Sequence, residues 1–302
     1  MTTFNVKKIL VPLDFSLTSI KALNQAVTMA KINKAEITIM HVIEGLPATT
    51  EMKFIPTGTT TDPGLQEKEV RAQSNQNLEK LAQRLRKKEG VKINTVTVSG
   101  RTHKQIIDVA AQTKADLIIM GTHGTSGFRE FVLGSNTYRV VSEAKCPVLS
   151  IHQHSIKPGF KKILLPFRDK PHSREKVDYA IRIAEIFKAT IHVVGVDVDD
   201  SGTQFQKLTL EAEQIKKIIE KHDINCKTKV IVGQYLSGEV MNYAKGIKAD
   251  LIVVMADLDR MSISEFILGP FVQQIINHSP IPVLSIRPRF NPNTVDLHGY
   301  GW

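Results

Sequence analysis

The sequence predicts an α/β protein of two tandem domains, each a mainly parallel sheet covered by helices, and two observations lead there. Short apolar runs of strand length alternate with segments whose apolar residues recur at three- and four-residue spacing, the β/α order of parallel strands joined by crossover helices. The chain also repeats itself. KKILVPLDFS at 7–16 returns as KKILLPFRDK at 161–170, and NKAEITIMHV at 33–42 as FKATIHVVGV at 187–196, both with an offset of 154. KADLIIMG at 114–121 then returns as KADLIVVMA at 248–256, EFVLGS at 130–135 as EFILGP at 265–270, and CPVLSI at 146–151 as IPVLSI at 281–286, with an offset of about 135. The shortening is assigned to GLPATTEMKFIPTGTTTDPG at 45–64, a Gly/Pro/Thr-rich loop. The expected domains are 1–153 and 158–290, joined near HQHSIKPGF, with a tail at 291–302.

Taken in order through the first copy, Ile9 to Leu13 is strand one, and Ile20, Leu23, Val27 and Ala30 then fall on one helical face. Ile37 to Ile43 is strand two. After the long loop, Val70, Leu78, Leu81 and Leu85 form the apolar stripe of a second helix, which closes on RLRKKEG, where cations complement the helix dipole. Val91 to Val98 alternates as strand three, and Ile106 to Ala111 lies on a short helix. Asp116 to Met120 is strand four, Thr137 to Ala144 a final helix, and Val148 to Ile151 strand five.

The bulk properties exclude several classes. With 42% apolar residues the chain can bury a core, and no stretch reaches the roughly 18 to 20 continuous apolar residues of a membrane helix. Met1 to Val11 has no signal-peptide apolar region, so a cytoplasmic location is expected and no membrane partner. Cys146 and Cys226 stand apart without metal or disulfide spacing and read as packing residues. The net charge of +10 is diffuse and lacks interleaved aromatics, which argues against a specific nucleic-acid site.

In an open α/β sheet the ligand crevice lies beyond the carboxyl ends of the strands. Asp14 follows strand one, Val42 closes strand two, and Gly121 opens the loop after strand four. That loop, GTHGTSGFREFVLGS, runs into a helix N-terminus, where free N–H groups and the positive dipole end favour phosphate oxygens. Gly124 and Gly127 would let backbone approach an anion, Ser135 could donate to it, and Arg129 is a further candidate contact. Each feature also has an ordinary reading: Asp14 or Gly134-Ser135 as helix caps, and His123 as a solvated side chain. No residue stands out as a catalytic base, and no metal ligand set is visible.

Gly121-x2-Gly124-x9-Gly134-Ser135 resembles the nucleotide-binding signature G-x2-G-x9-G-S/T of the universal stress protein family, and VPLD at 11–14, the HV pair at 41–42, SG at 99–100 and the CPVLSI strand extend the likeness. The resemblance implies Rossmann-like domains of the HUP type, each a five-stranded parallel sheet of order 3-2-1-4-5, with ATP, accompanied by Mg2+, as the ligand. It would place Asp14 on the ribose with Pro12 beside it, and Val42 on adenine through its backbone. Met120, Gly121 and Gly124 would line the ribose and phosphate side, and Gly134, Ser135 and Asn136 would bind the phosphates. It further implies that the last strands, CPVLSI and IPVLSI, pair so that one chain forms an intrachain pseudo-dimer, and that two chains associate as a homodimer.

The second copy departs from this pattern. Arg168 replaces Asp14, MADLDRMSISEFILGP stands where the first copy has MGTHGTSGFREFVLGS, and Pro270 replaces Ser135, removing an N–H and a hydroxyl. One ATP site per chain is therefore expected, with Arg168 a candidate anion contact in the other half. Because the second copy keeps the fold while dropping three glycines, those glycines read as ligand-facing and not architectural. The expected function is a stress-response regulator or interaction protein governed by ATP. The alternatives are a slow ATPase or nucleotidyl-transfer enzyme, for which no SGGxDS, HIGH, KMSKS or P-loop motif is present, and a scaffold with a relic pocket.

Overall fold

The computed structural model describes residues 4–44, 63–122, 134–152, 158–169, 174–198, 201–256, 258–260, 266–268 and 270–288. The first half runs β1 (Lys8–Pro12), α1 (Leu17–Asn33), β2 (Glu36–Ile43), α2 (Pro63–Glu89), β3 (Lys92–Ser99), α3 (Thr102–Thr113), β4 (Leu117–Gly121), α4 (Ser135–Glu143) and β5 (Val148–Ile151). The second runs β6 (Lys162–Phe167), α5 (Lys176–Phe187), β7 (Thr190–Asp197), α6 (Gly202–Glu220), β8 (Cys226–Val232), α7 (Leu236–Ile247), β9 (Leu251–Met255), β10 (Leu258–Arg260), β11 (Phe266–Leu268), α8 (Pro270–His278) and β12 (Val283–Ile286).

Ten strands form one sheet in the order β3-β2-β1-β4-β5-β12-β9-β6-β7-β8, so each half shows the order 3-2-1-4-5 and the halves meet at their last strands. Within this sheet all pairs inside a half are parallel, whereas β5 and β12 pair antiparallel with Leu149 opposite Leu284. One apolar core lies under α1, α2, α5 and α6, with Leu149, Ile151, Leu284 and Ile286 carrying it across the junction. The other lies under α3, α4, α7 and α8. Strands buried on both faces explain why they read as nearly continuous apolar runs.

The repeated KAD tripeptide has an architectural cause. Lys114 and Lys248 hold the left-handed C-cap positions of α3 and α7, at φ 53° and 56°. Asp116 accepts the backbone N–H groups of Lys7 and Lys8, both at 2.8 Å, and Asp250 those of Lys161 and Lys162 at 2.8 and 2.9 Å. Each carboxylate thus fastens the segment entering the central strand of its own half.

Three expectations need correction. Val70 is 49% exposed and not part of the buried stripe, while Leu78 is fully buried and Leu81 and Leu85 pack partly against the core. The cause is length: the 27 residues of α2 span about 40 Å and the eight of β3 about 26 Å, so the start of the helix overhangs the sheet. Residues 63–64, expected in the loop, already belong to α2. The antiparallel pair β10–β11 in the second half was not anticipated.

Candidate functional site

A cleft of about 300 Å3 opens at the carboxyl ends of the first-half strands, beside the point between β1 and β4 where the strand order reverses. Its walls are Pro12, Leu13 and Asp14 at and just beyond the end of β1, Met40, Val42 and Glu44 at the end of β2 and just past it, Met120, Gly121 and Thr122 likewise at the end of β4, and Gly134, Ser135, Asn136 and Thr137 at the start of α4. Ser19, Thr102 and Ile106 complete it. Pro12, Asp14, Val42, Met120, Gly121, Gly134, Ser135 and Asn136, all singled out from sequence, therefore share one cavity. Gly124, with His123, Gly127 and Arg129, lies outside the described residues.

Local structure decides between the readings of Asp14. The cap of α1 is Ser16, whose hydroxyl accepts the Ser19 N–H at 3.3 Å. Asp14 instead accepts the Ser16 N–H at 3.0 Å. Burial pushes its pKa upward, but hydrogen bonds from the Ser16 hydroxyl and N–H and the Ser19 hydroxyl outweigh that, holding it below the ordinary carboxylate value. Asp14 is therefore a fixed anion at neutral pH with acceptor capacity facing the cleft. Between it and the cap, Phe15 takes φ 62°, an uncommon conformation for a bulky residue. The His41 ring supports this turn through a 2.6 Å hydrogen bond between Nδ1 and the Leu13 carbonyl, and lies 5.4 Å from the Phe15 ring.

Across the cleft, α4 begins without a side-chain cap, because its capping residue is Gly134. Its first N–H groups, from Ser135 onward, have no intrahelical acceptor, and they coincide with the positive end of the helix dipole. Thr137 is tied inward by its hydroxyl, which donates to the Gly121 carbonyl at 3.1 Å. Sequence reasoning missed Glu44, Ser19, Thr102, Thr122 and Thr137. The polar residues that open α1, α3 and α4 were the available signal, since helices that start at strand ends aim their first turns at the crevice.

The glycines have more than one cause. A Cβ on Gly121 would lie 2.7 Å from Thr18 Oγ1 and 3.0 Å from the Thr18 carbonyl carbon, and one on Gly134 would lie 3.0 Å from the Thr122 carbonyl oxygen. Both are therefore needed by the packing of α1 and α4 on the strand ends, which corrects, for Gly121, the expectation that the glycines dropped by the second copy face only a ligand. The pairings Gly121–Ile151 and Met255–Ile286 put Met255 at the position of Gly121. Met255 is 2% exposed, so a large side chain is buried at that position in the second half.

In the second half different side chains stand at the corresponding positions. Arg168, at the Asp14 position, lies over the Phe271 ring at 5.9 Å, and Phe271 stands at the Asn136 position. Phe167 replaces Leu13 and presses on Gly195, which replaces His41, with 3.1 Å from its ring to where a Cβ would be. The candidate anion contact Arg168 thus has an aromatic side chain beside it.

This is a duplicated, doubly wound α/β protein with a cleft at the switch point of its first half. The universal stress protein family profile matches residues 5–152 and again 159–287, and the chain belongs to that family. Universal stress protein MJ0531 of Methanocaldococcus jannaschii is 33% identical over 150 residues, covering 48% of this chain and 81% of that protein. Universal stress protein YxiE of Bacillus subtilis is 33% identical over 147 residues, covering 48% of this chain and 97% of its own. A solved universal stress protein from Archaeoglobus fulgidus covers 94% of this chain and 97% of itself at a TM-score of 0.71 and 21% identity, a likeness of fold. Among the described residues no helix is long and apolar enough to cross a membrane, and no group of three metal-ligating side chains occurs.

Proposed function

We propose that the first half binds ATP in this cleft and that occupancy of the cleft governs what the surface binds, making the chain a cytoplasmic nucleotide-dependent stress regulator or interaction protein. The observation that carries this reading is the pairing of a fixed carboxylate, Asp14, with the uncapped start of α4 across one crevice. A carboxylate accepts ribose hydroxyls, a helix N-terminus takes phosphate oxygens, and the apolar wall of Pro12, Met40, Val42 and Ile106 suits a flat base. In this reading Val42 offers its backbone to adenine, Gly121 and Gly124 border the triphosphate, and Ser135 and Asn136 donate to it. Asp14 and Glu44 are the only carboxylates among the cleft residues, so Mg2+ would be held mainly through phosphate oxygens. The Arg168–Phe271 contact supports one ATP per chain. The β5–β12 pairing supports the reading of the chain as a pseudo-dimer within itself, and a homodimer of chains is part of the same proposal.

Calorimetric titration tests it. The wild-type chain should take up one ATP, and Asp14→Ala should weaken binding by about tenfold or more, the loss of one charge-assisted hydrogen bond. Equal affinity in Asp14→Ala would overturn the site.

A further inference from the structure

The two halves treat the groove between their first two helices differently. Leu78 and Ala82 of α2 register with Leu208 and Ala212 of α6, all buried. In that register the second half bridges its groove with polar pairs. Lys207 pairs with Asp169, Arg174 pairs with Glu211 at 3.5 Å, and Arg174 Nη2 donates to Gln214 at 3.3 Å. The same positions in the first half are Asn77 with Phe15, and Ile20 with Leu81 and Arg84. No bridge can form there. The helices enclose instead a cavity of about 280 Å3 floored by Phe15, Ile20 and Leu81, and further along a second of about 440 Å3 that includes Val27, Ile32 and Leu85.

Two features mark this groove as a binding surface. Phe15 and Ile32 are 42% and 50% exposed, and the Phe15 ring is held there by backbone at positive φ, a cost that packing alone does not call for at an exposed aromatic. Lys80, Arg84 and Lys88, four residues apart, line one edge along α2. Lys88 has Glu89 at 3.6 Å, but neither Lys80 nor Arg84 has an ion pair among the described residues. From Ile20 to Ile32 the groove runs about 18 Å, the length of three helical turns.

We propose that the α1–α2 groove docks an acidic amphipathic helix of a partner protein. Its apolar stripe would sit on Ile20, Leu81 and Leu85, and carboxylates at four-residue spacing would meet Lys80, Arg84 and Lys88, whose own spacing along α2 matches. Charge selects this occupant over a neutral or basic one. The proposal stands independently of the ATP reading.

The probe is a labelled synthetic three-turn helix with leucines at i, i+3, i+4 and i+7 and glutamates beside them, followed by fluorescence anisotropy with the full chain. Two variants serve: Ile20→Arg with Leu81→Glu, residue types that the second half already accommodates, and Lys80→Glu with Arg84→Glu on the exposed edge. Binding to the wild type should weaken about tenfold or more in each variant and fall as salt rises, with the unfolding temperature unchanged in Lys80→Glu/Arg84→Glu, whose side chains lie on the exposed edge. No saturable binding to the wild type, equal binding by either variant, or equal binding of a probe with lysines for glutamates would overturn the proposal. So would two other results. Loss of a wild-type oligomer in Ile20→Arg/Leu81→Glu by sedimentation velocity would assign the groove to a second copy of this chain. Loss of co-sedimentation with phosphatidylglycerol vesicles in the same variant would assign it to a lipid surface.

Discussion

Replacing Gly121 by alanine tests how the crevice is built. The added Cβ would lie 2.7 Å from Thr18 Oγ1, 2.9 Å from Thr18 Cβ and 3.0 Å from its carbonyl carbon. Comfortable carbon contacts begin near ~3.5 Å, so the first turn of α1 must retreat by about half an ångström, and backbone is among the atoms that must move. Overpacking of this kind costs about 1–3 kcal/mol, offset by about 0.4–1 kcal/mol from the less flexible unfolded chain. The net is a loss of about 1–2 kcal/mol, or roughly 2–8 °C in unfolding temperature for a domain of this size. Calorimetric unfolding without nucleotide reads it directly. The second half supplies the contrast: Met255, at the same position and 2% exposed, should cost about 2–5 kcal/mol when cut to alanine, because there the side chain fills the space. Unchanged or raised stability in Gly121→Ala would refute the packing argument.

Other outcomes follow from the same geometry. The folded pKa of Asp14 is lowered, so its carboxylate contributes stability above the ordinary carboxylate pKa that is lost as pH falls through the folded value. Asp14→Asn should thus cost about 1 kcal/mol at pH 7, with wild type and variant converging as pH falls below the ordinary carboxylate range in parallel denaturant titrations. Burial pushes the thiols of Cys146 and Cys226 up to about 11 and about 12, so at pH 8 even Cys146 holds about one thiolate per thousand. Thiol reagents should label both slowly in the native chain and rapidly in denaturant. Lys34, Lys114, Lys188 and Lys248 all sit at left-handed helix C-caps. Lys114→Gly should stabilise by about 0.5–1 kcal/mol, seen as a higher denaturation midpoint.

The β/α order was legible because internal repetition aligned each element with a second example, whereas the meeting of the halves at their last strands was implied only by the family resemblance. Asp14, Val42, Gly121, Gly134 and Ser135 were legible because strand ends and helix starts can be located from apolar runs and the crevice lies beyond them, whereas Pro12, Met120 and Asn136 came from the family resemblance alone. The strain at Phe15 left no trace, because nothing in a bulky aromatic announces a left-handed backbone. The role of Gly121 was misjudged since its neighbour, Thr18, is distant in sequence and the close approach of α1 to the end of β4 is a matter of packing. Val70 was misplaced because periodicity marks a face without saying where the sheet beneath it stops.

The central claim is that one half of the duplicated chain holds the nucleotide and the other has closed its crevice. Native mass spectrometry of the full chain in excess ATP tests it most directly. The account predicts a single ATP adduct per chain, lost in Asp14→Ala and retained in Arg168→Ala. Two adducts per chain, or one that survives Asp14→Ala, would contradict it.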